Sequence, residues 1–310
     1  EARDDEIIEM EKIVSNAMRS GAIGFATSTF EGHNGTNGIP MPSRFASREE
    51  ISRLIKAMAI DGRGIFMLTK SNDTEIKDII KLLGNVDRPT MVAALLDNPM
   101  KKSWAYNVLE DITKAQNKGY EIWGQVSCRP LTMEFTMNEP YMLEGLLAWK
   151  DYMIQNTIED RKNVLKNQKF RKAVLNEILD TTKNKLFVGN WEKIKLINTK
   201  RTSLLKHIGM NLVEIANFYN KEPFDWLLDN AINDGFEDLF AAELLNSDNK
   251  QVQKLLKHQY ASIALSDAGA HTSLLCDAGY AIELLSKWTR ELKVFSLEEA
   301  VFNLTGKQAD

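Results

Sequence analysis

Apolar positions along this chain switch between two spacings. Ile7, Ile8, Met10, Ile13, Val14 and Met18 recur on one helix face, and Gly21 stands where such a helix stops. Residues 22–28 form a short, continuous apolar run that predicts a buried strand. Residues 29–43, rich in Gly, Pro and Asn, predict a long loop. Ser47, with Glu50 three residues on, opens a helix as a capping box, and that helix ends at Asp61-Gly62. Strands over 65–69, 90–96 and 121–127 then take turns with helices over 73–83 and 101–118. None of these strands shows clean alternation, the pattern of strands covered on both faces in a parallel sheet.

Strand and helix in turn mean βα units. No strand is followed by the glycine-rich phosphate turn of a nucleotide-binding sheet, which favours a barrel. From about 133 to 189 the rhythm gives way to amphipathic stretches such as WKDYM and RKAVLNEIL, which predict a helical insertion. Further strands are expected over 193–198, 239–245 and 262–266, with helices over 211–219, 222–232, 276–292 and 297–304. The strand candidates fall short of the eight that close a barrel, so one domain over residues 1–310, an incomplete barrel arc, is expected. The acidic, amphipathic start and the helical finish both read as cut ends.

Charged residues make up 26% of the 310 and the net charge is −4, with both signs interspersed. That balance gives no electrostatic reason to expect nucleic acid or an anionic membrane as partner. No apolar run reaches the ~20 residues of a membrane span. Two cysteines far apart, Cys128 and Cys276, point to reduced, buried, inert thiols and a cytoplasmic setting.

The strongest chemical signal is the strand 262–266 running into Asp267, then small residues, then His271. At the C-terminal end of a parallel-barrel strand, Asp267 either binds a metal or takes a proton from water, or it caps the turn that follows. The stretch SDAGAHTSLLCDAGY (266–280), with Trp288 and SLEEAVFNLTGKQAD (296–310), resembles the end of the barrel in amidohydrolases of the N-acyl-D-amino-acid deacylase type. GAIGFATS (21–28), the His33 loop with MPSRFAS (41–47), GQVSCRP (124–130) and GMNLVEIAN (209–217) resemble further segments of that family, in family order.

The resemblance implies a (β/α)8 TIM barrel of the amidohydrolase type that hydrolyses the amide C–N bond of an N-acyl amino acid. It further implies zinc-activated water as nucleophile, with Asp267 as proton shuttle and metal ligand. Departures accompany it. The first-strand H-x-H pair has no counterpart here, because the chain starts about three strands into the family pattern. The strands ending IFMLTKS and MVAALLDN carry no histidine, and Leu68 with Leu95 or Leu96 stands where ligands would be. The remaining zinc ligands are therefore absent from this chain, and a degenerate barrel that binds a small ligand without turnover is the alternative.

Arg129 is the candidate anchor for a substrate carboxylate, or else part of a structural ion pair. His33 and His271 are candidate substrate-binding residues, against a solvent-exposed loop histidine and a helix-start histidine. Lys70 is either a cationic or carboxylated group of the site or a strand-end lysine that is simply solvated or ion-paired. Asp277 reads as a helix-start charge. His207 and His258, in the basic stretches LLKHIG and LLKHQY, are expected at the surface.

Overall fold

The computed structural model describes residues 2–309 except 32, 34, 36–38, 181, 183, 184 and 265–277. Its strands, in chain order, are β1 (Gly24–Ser28), β2 (Ile65–Thr69), β3 (Thr90–Ala93), β4 (Ile122–Val126), β5 (Leu131–Phe135), β6 (Ile194–Asn198), β7 (Leu239–Leu245) and β8 (Ala261–Ile263). They divide between two units. One comprises residues 2–129, 248–264 and 279–309, and the other residues 130–247.

In the first unit β1-β2-β3-β4-β8 form one parallel sheet. Gly24 pairs with Ile65, Phe66 with Thr90, Thr90 with Ile122 and Gly124 with Ala261. Helices α1 (Asp4–Arg19), α2 (Arg48–Met58), α3 (Ile76–Leu83) and α4 (Trp104–Gln116) alternate with the first four strands. Ser47 caps α2 by accepting from the Glu50 amide at 3.0 Å, as the capping box predicts. Phe66, Leu68, Val92, Ile122 and Val126 pack with Ile55, Ile79, Leu109 and Ile112 in a helix-covered core. The opposite strand positions Met67, Met91, Trp123 and Gln125 are only half-buried. Cover on both faces was expected, but burial alternates, with one face packed on the helices and the other only half-buried.

Gly124 shows how tightly the covered face is packed. A Cβ there would lie 2.5 Å from Leu109 Cδ2 and 2.7 Å from Leu95 Cδ1. Gly124→Ala is expected to cost about 1–3 kcal/mol in urea unfolding, as overpacking does.

The second unit departs from the helical insertion expected over 133–189. It holds a three-stranded antiparallel sheet, order β5-β7-β6, in which Met133 and Ile194 both pair with Ala242. Strands β6 and β7, read in sequence as continuing the barrel series, belong to this sheet. The period-two pattern Leu131, Met133, Phe135 is only one strand long, and Pro130 before it reads as a breaker. Helices Ile158–Lys166, Gln168–Leu179, Leu212–Phe218 and Pro223–Asn230 surround the sheet, with Trp149, Tyr152, Val174, Leu227 and Phe240 fully buried between them.

Neither His207 nor His258 lies at the surface. His207 is buried, its Nδ1 3.3 Å from Met210 Sδ and its Nε2 3.3 Å from the Tyr219 hydroxyl, partners suited to a neutral ring. The His258 side chain is 7% exposed and faces Thr113 and Glu110. Burial lowers both rings below the ordinary histidine value of 6.5, joined at His207 by the Lys206 charge, while Glu110 works against it at His258. Below 6.5 the unfolded chain takes up protons that the folded chain refuses. Stability therefore rises with pH through the window up to 6.5 and is lost as pH falls below it. Urea midpoints on either side of that value are expected to show this slope, and a His207→Asn, His258→Asn double variant to flatten it.

No helix among the described residues is long and apolar enough to cross a membrane.

Candidate functional site at the strand ends of the parallel sheet

The C-terminal edge of the parallel sheet gathers the polar side chains that the alternation of strand and helix delivers to one rim. Pairing continues beyond the strands. The Thr29 amide donates to Thr69, Leu95 to Gln125 and Ala264 to Val126, so the rim residues are held in register.

After β1, the Ser28 hydroxyl meets His33 Nδ1 at 2.6 Å, and the Phe30 amide also donates to that hydroxyl. Phe30 stands edge-on to the imidazole at 5.3 Å, and Arg44 donates to the His33 carbonyl at 3.3 Å. His33 is exposed but held in place by these contacts.

After β2, Lys70 is buried at 6% exposure. Its ammonium lies 4.8 Å over the Trp104 ring at the start of α4 and donates to the Ser71 carbonyl at 3.2 Å. Burial holds its pKa below the ordinary lysine range, with Lys101 acting in the same sense and Glu31 opposing. The solvated strand-end lysine considered from sequence is excluded by this burial. Glu31 clasps the amide and side chain of Asn72, and Lys101 reaches the Asn72 side-chain oxygen at 3.4 Å. The rim at β1 and β2 is thus one polar cluster.

Beyond β3, Leu95 and Leu96 are buried, with Leu95 in the helix-side core beside Leu68. Asp97 follows them at 9% exposure, its carboxyl raised above the ordinary range by burial and then by Asp248. Sequence reading passed over Asp97, although an acid directly after an apolar strand run is the signal that singled out Asp267.

Beyond β4, the buried Ser127 hydroxyl accepts from the Arg129 amide at 3.1 Å. The Arg129 guanidinium lies against Gly279, where a Cβ would come within 2.8 Å of it. A side chain at 279 would displace it. Cys128 is fully buried, as expected of an inert thiol. Its Sγ donates to the Tyr280 carbonyl at 3.2 Å, and its own carbonyl accepts from Trp288 Nε1 at 2.7 Å. Asp267, His271, Cys276 and Asp277 lie outside the described residues.

The rim therefore carries His33, Lys70, Asp97 and Arg129 in strand order. It can present two cations to an anionic ligand, with one acid poised to hold a proton. Among the described residues no three His, Cys, Asp or Glu side chains come together as ligands. His33 Nδ1 is engaged by Ser28, and the Cys128 thiol is spent on a backbone carbonyl.

No family model matches the chain, and neither does any curated protein. Solved structures do. A D-aminoacylase described as defining a novel subset of amidohydrolases aligns at a TM-score of 0.55 and 17% identity. A D-aminoacylase studied for its binuclear metal centre aligns at 0.54 and 17%. The N-acyl-D-glutamate deacylase of Bordetella bronchiseptica, bound to zinc and a phosphonate mimic of the tetrahedral intermediate, aligns at 0.55 and 16%. Each alignment covers 99% of this chain and 52% of the other, so this chain spans about half the length of the proteins it matches. The parallel sheet and the alignments agree: this chain shares the α/β barrel fold of these solved structures over about half their length.

Proposed function

We propose that this chain forms part of a hydrolase that cleaves the amide C–N bond of an N-acyl amino acid or a related compound. One observation carries the reading: a fold found in deacylases, aligned over 99% of this chain, whose strand-end rim bears cations suited to a carboxylate-bearing substrate. In this reading Arg129 grips the substrate carboxylate through paired N–H donors, and Lys70 offers a second positive charge within a buried setting. His33 and His271 line the ligand. Asp267 takes a proton from the attacking water and passes it to the leaving amine, as a strand-end carboxylate can.

Zinc, expected from the family resemblance, finds no three-ligand set among the described residues. A second reading is a barrel of this fold that binds the same ligand class without turnover, favoured by the buried Leu68 and Leu95, which stand where the resemblance places ligands.

The two readings separate in one experiment on the full chain. Binding and amine release from N-acetyl-D-amino acids are measured alongside the metal content of the purified protein, for wild type and Asp267→Asn. Amine release by the wild type that is lost in the variant, with binding kept, supports hydrolysis. Saturable binding with no release and no stoichiometric metal overturns hydrolysis in favour of the second reading. Absence of binding overturns both.

A further inference from the structure

The second unit contains a preformed pocket with no part in the site above. It is a cavity of about 260 Å³, lined among others by Arg201, Leu204, Tyr219, Lys221, Trp226 and Asn230. That volume lies just under the ~300–1,000 Å³ of drug-sized sites, which sets the scale of its occupant as a small metabolite.

The pocket is built around one guanidinium. Asp238, 3% exposed, accepts from the Thr199 hydroxyl at 2.5 Å, from Asn230 Nδ2 at 2.9 Å and from Arg201 NH1 at 3.3 Å. The Asn230 side-chain oxygen accepts from the same Arg201 nitrogen. Every side-chain bond that Arg201 makes within the described residues is through NH1. Its Nε and NH2, the pair that grips a carboxylate side-on, make no hydrogen bond among the described residues, and Asp234, whose charge also reaches Arg201, is held by Lys162. A buried acid and a buried amide thus fix the orientation of an arginine that lines the pocket, the preorganisation that strengthens binding.

The remaining wall decides what that anion is attached to. Tyr219 and Trp226 lie nearly parallel, their ring centres 6.2 Å apart, and buried Leu204 adds apolar surface. Asp229, the pocket's own acid, is already held by Lys221 and by Arg171 NH2, so it does not compete for Arg201. We infer that this pocket binds a small carboxylate borne on a flat apolar group, with the carboxylate on Arg201 Nε and NH2 and the apolar group against Trp226 and Leu204.

The probe is phenylacetate, titrated calorimetrically into the full chain. Saturable binding is expected, weakened about tenfold in Arg201→Lys, which keeps the charge but loses the paired donors. It is expected to vanish in Ser203→Trp, where a large ring on the exposed rim fills the pocket and leaves the Asp238 network untouched. Far-UV circular dichroism checks that both variants fold. No saturable binding by the wild type, or unchanged affinity in Ser203→Trp, overturns the inference. So does loss of the signal in Arg129→Gln with Arg201→Lys unaffected, which would move the ligand to the barrel rim. Inorganic phosphate displacing phenylacetate at equal affinity would overturn the part assigned to the apolar wall.

Discussion

Replacing Trp288 by alanine is expected to remove about 3–5 kcal/mol from the unfolding free energy of the barrel unit, the range for deleting a large aromatic from a packed core. Trp288 is 1% exposed and belongs to the same cluster as Val126, Ile263, Leu284 and Phe295. Its position also makes it a clamp. The indole N–H donates to the carbonyl of Cys128, and the Cys128 thiol returns a bond to the carbonyl of Tyr280. Two bonds in opposite directions hold the segment after β4 against the helical stretch formed by Tyr280–Glu283 and the π-helical Leu284–Glu291.

Trp288→Phe separates packing from clamp. It keeps most of the apolar burial but removes the indole N–H that donates to the Cys128 carbonyl, a loss of about 1–3 kcal/mol. Urea unfolding followed by circular dichroism measures both variants. A loss below about 1 kcal/mol for the alanine variant would show that this ring is not the core element its burial implies. Since Arg129 is the next residue along, both variants are also expected to weaken carboxylate binding at the rim.

The contrast between what the chain announced and what it concealed follows from the same packing. Strand β2 falls on the residues the apolar run predicted, 65–69, and β1, β3 and β4 lie inside their expected ranges. Each is a continuous apolar run set off by charged or turn residues, and nothing else fits such a run between two amphipathic helices. Strand β8 begins one residue early, at Ala261, and is shorter than expected. The antiparallel sheet of the insertion was hidden because its three strands are separated by long stretches of helix and loop, residues 136–193 and 199–238, so no local hairpin signal exists.

Buried polar groups were the least legible. The LLKH stretches read as amphipathic and basic, yet the imidazoles at 207 and 258 turn inward, toward partners supplied by Tyr219 and Thr113. Asp97 reads locally as a turn acid. What makes it chemically distinct is the burial at the rim and the proximity of Asp248, a residue 151 positions along the chain whose side chain caps helix Asn249–Leu256. Sequence spacing carries no record of such a meeting.

Lys70 is expected to separate stability from binding. Its ammonium is buried with one carbonyl bond and one aromatic face as compensation, and burial lowers its pKa from the ordinary value of 10.5. Between the lowered value and 10.5 the unfolded chain holds a proton that the folded chain has released, so stability rises with pH through that window. Below the window the cost of the buried charge is present in full. Methionine at position 70 keeps the length of the side chain and a favourable sulfur contact with Trp104 while discarding the charge. Lys70→Met should therefore melt at a higher temperature than the wild type at neutral pH, with the gain shrinking as pH approaches 10.5. The same variant should bind N-acyl amino acids ten- to a hundredfold more weakly, the usual worth of a hydrogen bond to a charged group at about 1.5–3 kcal/mol. A residue that costs the fold stability and gains the ligand affinity is one held for its chemistry. Thermal melts across pH and ligand titrations on the one variant decide it. Lower stability at neutral pH would make Lys70 a structural element, and unchanged affinity would remove it from the ligand's surroundings.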